Sequence, residues 1–107
     1  MSAPEIDIST FAGHHANGAA VIDVRETDEY DDGHVAGARL IPLGEVQNRL
    51  AEFPVDGTVY LICRSGARSG RAAEWLLTQG VDAVNIAGGT LAWIDAGHPV
   101  VLGGEPG

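Results

Sequence analysis

Four short apolar runs recur along the chain: AVIDV at 20–24, RLIP at 39–42, TVYLIC at 58–63 and AVNI at 83–86. Each is too short for an ordinary helix and rich in β-branched or aliphatic residues, so each predicts a buried strand. IDI at 6–8 adds a candidate edge strand. The segments between them have helical spacing. STFAGHH predicts a short helix after Ser9, and LGEVQNRLAEF places Leu43, Val46, Leu50 and Phe53 on one face before Pro54 stops it. In SGRAAEWLLTQG, Ser69 is a candidate N-cap, Ala72, Ala73, Leu76 and Leu77 form one apolar stripe, and Gly80 ends the helix. GTLAWIDAG predicts a last short helix before His98 and Pro99, and the tail VLGGEPG is expected to fray. Strands alternating with helices predict an α/β domain, a mostly parallel sheet covered on both faces.

With 107 residues the chain is expected to form one domain over 1–107, with its core at about 5–100 and a flexible tail at 101–107. The start MSAPEIDIST has neither the basic opening nor the apolar stretch of a signal peptide, and no apolar run is long enough to span a bilayer; the expected location is the cytoplasm. Six Lys+Arg face fifteen Asp+Glu, a net charge of −9. That balance argues against nucleic acid or an anionic membrane as partner, since both are bound through extended basic surfaces. Any anionic ligand has to be small.

Against this background one stretch is anomalous. CRSGARSGR, Cys63 to Arg71, holds the only cysteine and three of the six arginines of a chain without lysine. Cys63 stands where a buried parallel strand ends and a helix soon begins, the edge at which open α/β sheets place their ligand crevice. Gly66 permits a positive φ, and in such a turn successive N–H groups converge into an anion-holding nest. A helix N-terminus and nearby arginines lower a thiol's pKa, and the thiolate is the nucleophile. Arg64 and Arg68 offer planar donors to an oxyanion; Ser65 and Ser69 add hydroxyls. The alternative is a buried filler cysteine followed by a solvated arginine-rich loop. Arginine follows at Arg68, a C-x4-R spacing, whereas protein tyrosine phosphatases place it one position later, where Ser69 stands here. The smaller ring suits one sulfur atom better than a tetrahedral phosphate.

Three segments together resemble the rhodanese homology family of sulfurtransferases. VIDVRETDEYDDGHVAGARLIPL is similar to its upstream signature, CRSGARS to its active-site loop, and VNIAGGTLAWIDAGHPV to its closing segment. The resemblance covers about residues 5–100. It implies a five-stranded, mainly parallel sheet flanked by helices on both faces, with a six-residue loop from Cys63 to Arg68. It further implies catalysis by Cys63: the thiolate takes the outer sulfur of a donor such as thiosulfate, and the persulfide passes it to cyanide or a thiol. Arg64, Ser65, Gly66, Ala67, Arg68 and Ser69 would bind the substrate, with no metal or organic cofactor. A persulfide carrier or docking module, its acidic surface meeting a sulfur-relay partner protein, is a second function; phosphatase or arsenate reductase chemistry is a third.

Other residues have plainer readings. Asp23 and Arg25 suggest a fold-holding pair, His34 a hydrogen-bonded turn residue, and Trp75 and Trp93 packing. His14 and His15 lack metal-ligand spacing. DEYDD at 28–32 predicts a solvated acidic face.

Overall fold

Side-chain alternation along the central strand, β4 (Thr58–Ile62), divides the interior in two. Val59, Leu61 and, just past the strand, Cys63 join one buried cluster; Tyr60 and Ile62 join the other. The period of two in a pleated strand has this result when both faces are covered. The computed structural model describes residues 2–107; Met1, the first residue of the expected domain, lies outside them.

Five strands form one sheet: β1 (Glu5–Ile6), β2 (Ala20–Asp23), β3 (Arg39–Leu40), β4 and β5 (Asp82–Ile86), in the order β1-β5-β4-β2-β3. Every pair is parallel. On one face α3 (Ala67–Thr78) contributes Ala72, Ala73 and Leu76 to a cluster with Ile22, Leu61 and Phe53. On the other, α1 (Ile8–Ala16), α2 (Thr27–Asp32) and α4 (Gly89–Asp95) contribute Ile8, Phe11, Tyr30 and Trp93. The chain leaves β2 toward β3 on one side and leaves β4 toward β5 on the other. The carboxyl ends of β2 and β4 therefore flank the point where the winding direction reverses, and a crevice opens there. Cys63 directly follows β4. No helix among the described residues is long and apolar enough to cross a membrane.

Several local expectations change. The edge strand is Glu5–Ile6, because Asp7 caps α1: its Oδ1 accepts from Thr10 N–H at 2.8 Å, and Ile8 already belongs to the helix. The helix expected over 43–53 is two 3-10 turns, Leu43–Glu45 and Leu50–Glu52. Its apolar positions fall largely three apart, which suits a three-residue turn, and Gly44 and Asn48 are weak helix formers. Val46 and Phe53 are nevertheless buried. The acidic stretch carries α2, whose Tyr30 is buried while Asp28, Asp31 and Asp32 face solvent. Glu29 Oε1 accepts from Glu26 N–H at 3.0 Å, half of a capping box that an acidic run conceals.

Where the sequence predicts fraying, the tail is hydrogen-bonded. Val101 pairs with His34 in an antiparallel bridge, and Gly37 N–H donates to Pro106 O at 2.8 Å. His34 itself is fully buried, its Nδ1 2.9 Å from Tyr30 O and its Nε2 2.8 Å from Glu105 O, so it holds backbone rather than facing the crevice.

Candidate active site

The loop after β4 is held from outside so that its amides face inward. Thr90 N–H and Oγ1 donate to Cys63 O at 2.9 and 3.0 Å, and Leu91 N–H donates to Arg64 O at 3.1 Å. With those carbonyls drawn toward α4, the chain turns at Gly66, whose φ is +110°, and enters α3. Gly66 N–H then points at the sulfur, 3.1 Å from Cys63 Sγ. Ser69, expected as an N-cap, lies inside the first turn of α3 instead, because left-handed Gly66 takes the cap position three residues earlier. Its buried Oγ sits 3.2 Å from Sγ.

The approach of α4 leaves no room for a side chain at Gly89. A Cβ there would meet Cys63 O and Arg64 O at 2.6 Å, with φ at +59°. Gly89→Ala is expected to cost about 2 to 5 kcal/mol from backbone clash and left-handed strain together, and to disorder the loop. A urea titration showing a change under about 1 kcal/mol would mean that α4 yields without disturbing the sulfur.

Cys63 is only 1% exposed, so the sulfur lies at the base of the loop rather than on the surface. Burial pushes its thiol up. The Ser69 hydroxyl and the amides of Ser69, Gly66 and Ser65 pull it down further, and the balance is a pKa below the ordinary thiol value. Activation comes mainly from hydroxyl and amide hydrogen bonds, so of the two expected sources, the helix N-terminus and the arginines, the arginines contribute less.

Arg68 explains why. Its Nη1 and Nη2 donate to Glu29 Oε1 and Oε2 at 2.7 and 2.8 Å, so the fork expected to hold an oxyanion grips a carboxylate of α2. Arg64 differs: exposed, it has no ion-pair partner among the described residues. Ser65 and Ala67 are exposed on the loop and at the start of α3. Beside them a crevice of about 210 Å³ opens over the ends of β2 and β4, lined by the cations Arg25 and Arg64, the carboxylates Glu29 and Asp32, and by Gly33, Thr90, Leu91 and Ile94. Arg25 is fixed there by Asp23, its Nη2 2.8 Å from Asp23 Oδ2.

The Arg68 hydrogen bonds hold Glu29 at a pKa of about 2, against 4.5 ordinarily. The unfolded chain therefore takes up this proton first. The stabilisation is whole above about pH 4.5 and is lost as pH falls through about 2. For a pair a quarter exposed, about 1 to 2 kcal/mol is expected. Wild-type protein should lose its advantage over Glu29→Gln across that window in thermal melts; a constant gap between pH 6 and pH 2 would contradict the pairing.

Sequence reasoning missed Glu29, Thr90 and Asn85. Asn85 left one trace, a polar residue inside the apolar run AVNI; it is buried and touches Ser69.

Comparison with known proteins places these features in a family context. A family model described as Rhodanese-like domain matches residues 9–96. A sulfurtransferase of Allochromatium vinosum is 38% identical over 82 residues, which cover 76% of this chain and 77% of that protein. YrkF of Bacillus subtilis, provisionally named a sulfur carrier protein, is 38% identical over 95 residues, 86% of this chain; the chain spans 51% of YrkF's length. The crystal structure of a rhodanese-related protein from Thermoplasma volcanium superposes with a TM-score of 0.85 at 32% identity, covering 92% of this chain and 98% of that one.

Proposed function

Since the chain belongs to the rhodanese-like domain family, we propose that it forms one such domain and moves a sulfane sulfur from an anionic donor such as thiosulfate to a thiol or cyanide through a persulfide on Cys63. The observation that carries this reading is the sulfur held at 3.1 Å by Gly66 N–H and 3.2 Å by Ser69 Oγ in a six-residue loop. In the first step the Cys63 thiolate attacks the donor's outer sulfur. A new S–S bond forms, the donor's own S–S bond breaks, and its electron pair leaves with sulfite. In the second, an acceptor thiolate or cyanide attacks the outer sulfur, and the electron pair of the breaking bond returns to Sγ. The amides of Ser65, Gly66 and Ser69 face the sulfur that carries the persulfide.

Arg64 is the guanidinium free to meet the donor's sulfonate, while Arg68, gripped by Glu29, braces the loop against α2. No step draws on a metal or organic cofactor, and a reducing cytoplasmic setting keeps the thiol available. Phosphatase chemistry fits poorly: a phosphate needs donors for three oxygens, and the fork that would supply two is taken.

The buried sulfur also favours a carrier that charges readily but discharges to a chosen partner, met through the acidic surface of a chain with net charge −9. One experiment separates these readings. Protein is exposed to thiosulfate, to a polysulfide and to a low-molecular-weight persulfide, its intact mass is read, and cyanide is added. One gained sulfur released as thiocyanate with repeated turnover identifies the enzyme; one gained sulfur with turnover slow on every donor identifies the carrier. No gain from any donor overturns both.

A further inference from the structure

Two acceptors compete for one proton beside the sulfur. Ser69 Oγ lies 3.2 Å from Cys63 Sγ and 2.6 Å from Asn85 Oδ1, and a hydroxyl donates to one of them at a time. Asn85 is not free to turn its amide around. Its Nδ2 is 2.8 Å from Glu5 Oε2 and 3.1 Å from Gly66 O, and a carboxylate and a carbonyl are both acceptors. Only the NH2 end satisfies the two, so the network assigns Oδ1 to Ser69. The register of the sheet sets this up, since β1 pairs Glu5 directly with Asn85 of β5.

We propose that Asn85 is a positioning residue that competes with Cys63 Sγ for the Ser69 proton, favouring the thiol and the persulfide over the bare thiolate. The inference rests on the reading of Cys63 as the sulfur-bearing nucleophile. In the thiol form the chain of donors is complete: Sγ–H donates to Ser69 Oγ, and Ser69 donates to Asn85 Oδ1. When the thiol ionises, Ser69 turns to the sulfur, and two oxygens 2.6 Å apart are left with no proton between them. That contact is repulsive in a buried site, where an unpaired acceptor is expensive. In the persulfide, Sγ is a bridging sulfur with neither a proton nor a full charge, a weak acceptor, and Ser69 returns to Asn85.

The consequence falls on the second step. When an acceptor thiolate takes the outer sulfur, the bond between that sulfur and Sγ breaks, and Sγ departs as a thiolate that needs the Ser69 proton. Asn85 opposes that moment. It holds the sulfur on the protein until a sufficiently strong acceptor arrives.

The test is the pH profile of iodoacetamide alkylation of Cys63, which reads the thiol whether or not sulfur transfer occurs, so its outcome is independent of the functional reading. Asn85→Leu keeps the branched shape and removes both polar ends; Asn85→Ala is the second variant, with the same expectation. The apparent thiol pKa is expected to fall by about one unit, a tenfold rise in thiolate over thiol at fixed pH below it. The same variants, loaded with sulfur, should discharge to cyanide several-fold faster. In a Ser69→Ala background, either Asn85 change should leave the pKa where Ser69→Ala alone puts it. A pKa unchanged or raised in the single variants, or a fall of equal size without Ser69, overturns the proposal, because loosening of the loop alone would act in both backgrounds.

Discussion

Cys63→Ser is expected to abolish the gain of sulfur from every donor while leaving the protein folded. The seryl oxygen would occupy nearly the same place and accept the same Gly66 N–H and Ser69 O–H hydrogen bonds, so no buried donor loses its partner. Its proton, however, is far more tightly held than a thiol's. A site that lowers a thiol moderately, with burial working against it, cannot produce an alkoxide. The stability change should stay within about 1 to 2 kcal/mol. Cys63→Ala is the poorer control: it leaves Gly66 N–H pointing at a void, at a cost of about 1 to 3 kcal/mol, so a loss of activity would be confounded with a loosened loop. Intact mass after donor exposure reads the first expectation and urea denaturation the second. Sulfur retained by a folded Cys63→Ser protein would place the acceptor atom elsewhere, although Cys63 is the chain's only cysteine.

The features legible in the sequence are those that local chemistry decides. TVYLIC reads as a buried strand because its residues need two apolar faces, and the structure covers both. The loop reads as a nest because Gly66 licenses the turn, and Gly66 N–H does point at the sulfur. What escaped were contacts made across the fold. Arg68 and Glu29 lie 39 positions apart, and Thr90 and Cys63 lie 27 apart; no spacing rule joins them. The three arginines around the sulfur were therefore overread. One is bound by a carboxylate from α2, and Arg71 lies on the exposed side of α3, which leaves Arg64 at the crevice. The misread helix over 43–53 failed differently: its apolar spacing gave the inward face correctly, but positions mostly three apart fit a 3-10 turn as well as an α-helix, and weak helix formers at Gly44 and Asn48 favour the tighter turn.

The largest stability loss is expected at Asp23→Ala, which leaves a guanidinium buried without its counter-charge. Asp23 ends β2 and is fully buried; its Oδ1 accepts from Arg25 N–H and Nε, both at 3.0 Å, and its Oδ2 from Nη2 at 2.8 Å. Arg25, 5% exposed, then donates to Gly33 O at 2.9 Å, tying the end of β2 to the end of α2. An exposed pair such as Arg39–Glu52 contributes about 0 to 1 kcal/mol, whereas breaking a buried pair by removing one partner costs about 3 to 5. Against a total stability of about 5 to 15 kcal/mol for a domain, that lowers the melting temperature by on the order of 15 °C. Replacing both partners by apolar residues, as in Asp23→Leu with Arg25→Met, should restore much of the loss, because the cost lies in the unpaired charge and not in the missing pair. The functional effect should follow α2. With Arg25 no longer anchoring Gly33, Glu29 loses its fixed place and Arg68 its brace, so sulfur loading should slow even at temperatures where the variant is folded. Urea titrations of the single and double variants decide the matter: a double variant less stable than Asp23→Ala would show that the pair stabilises by attraction, and that the penalty for a stranded guanidinium is not what holds Asp23 in this strand.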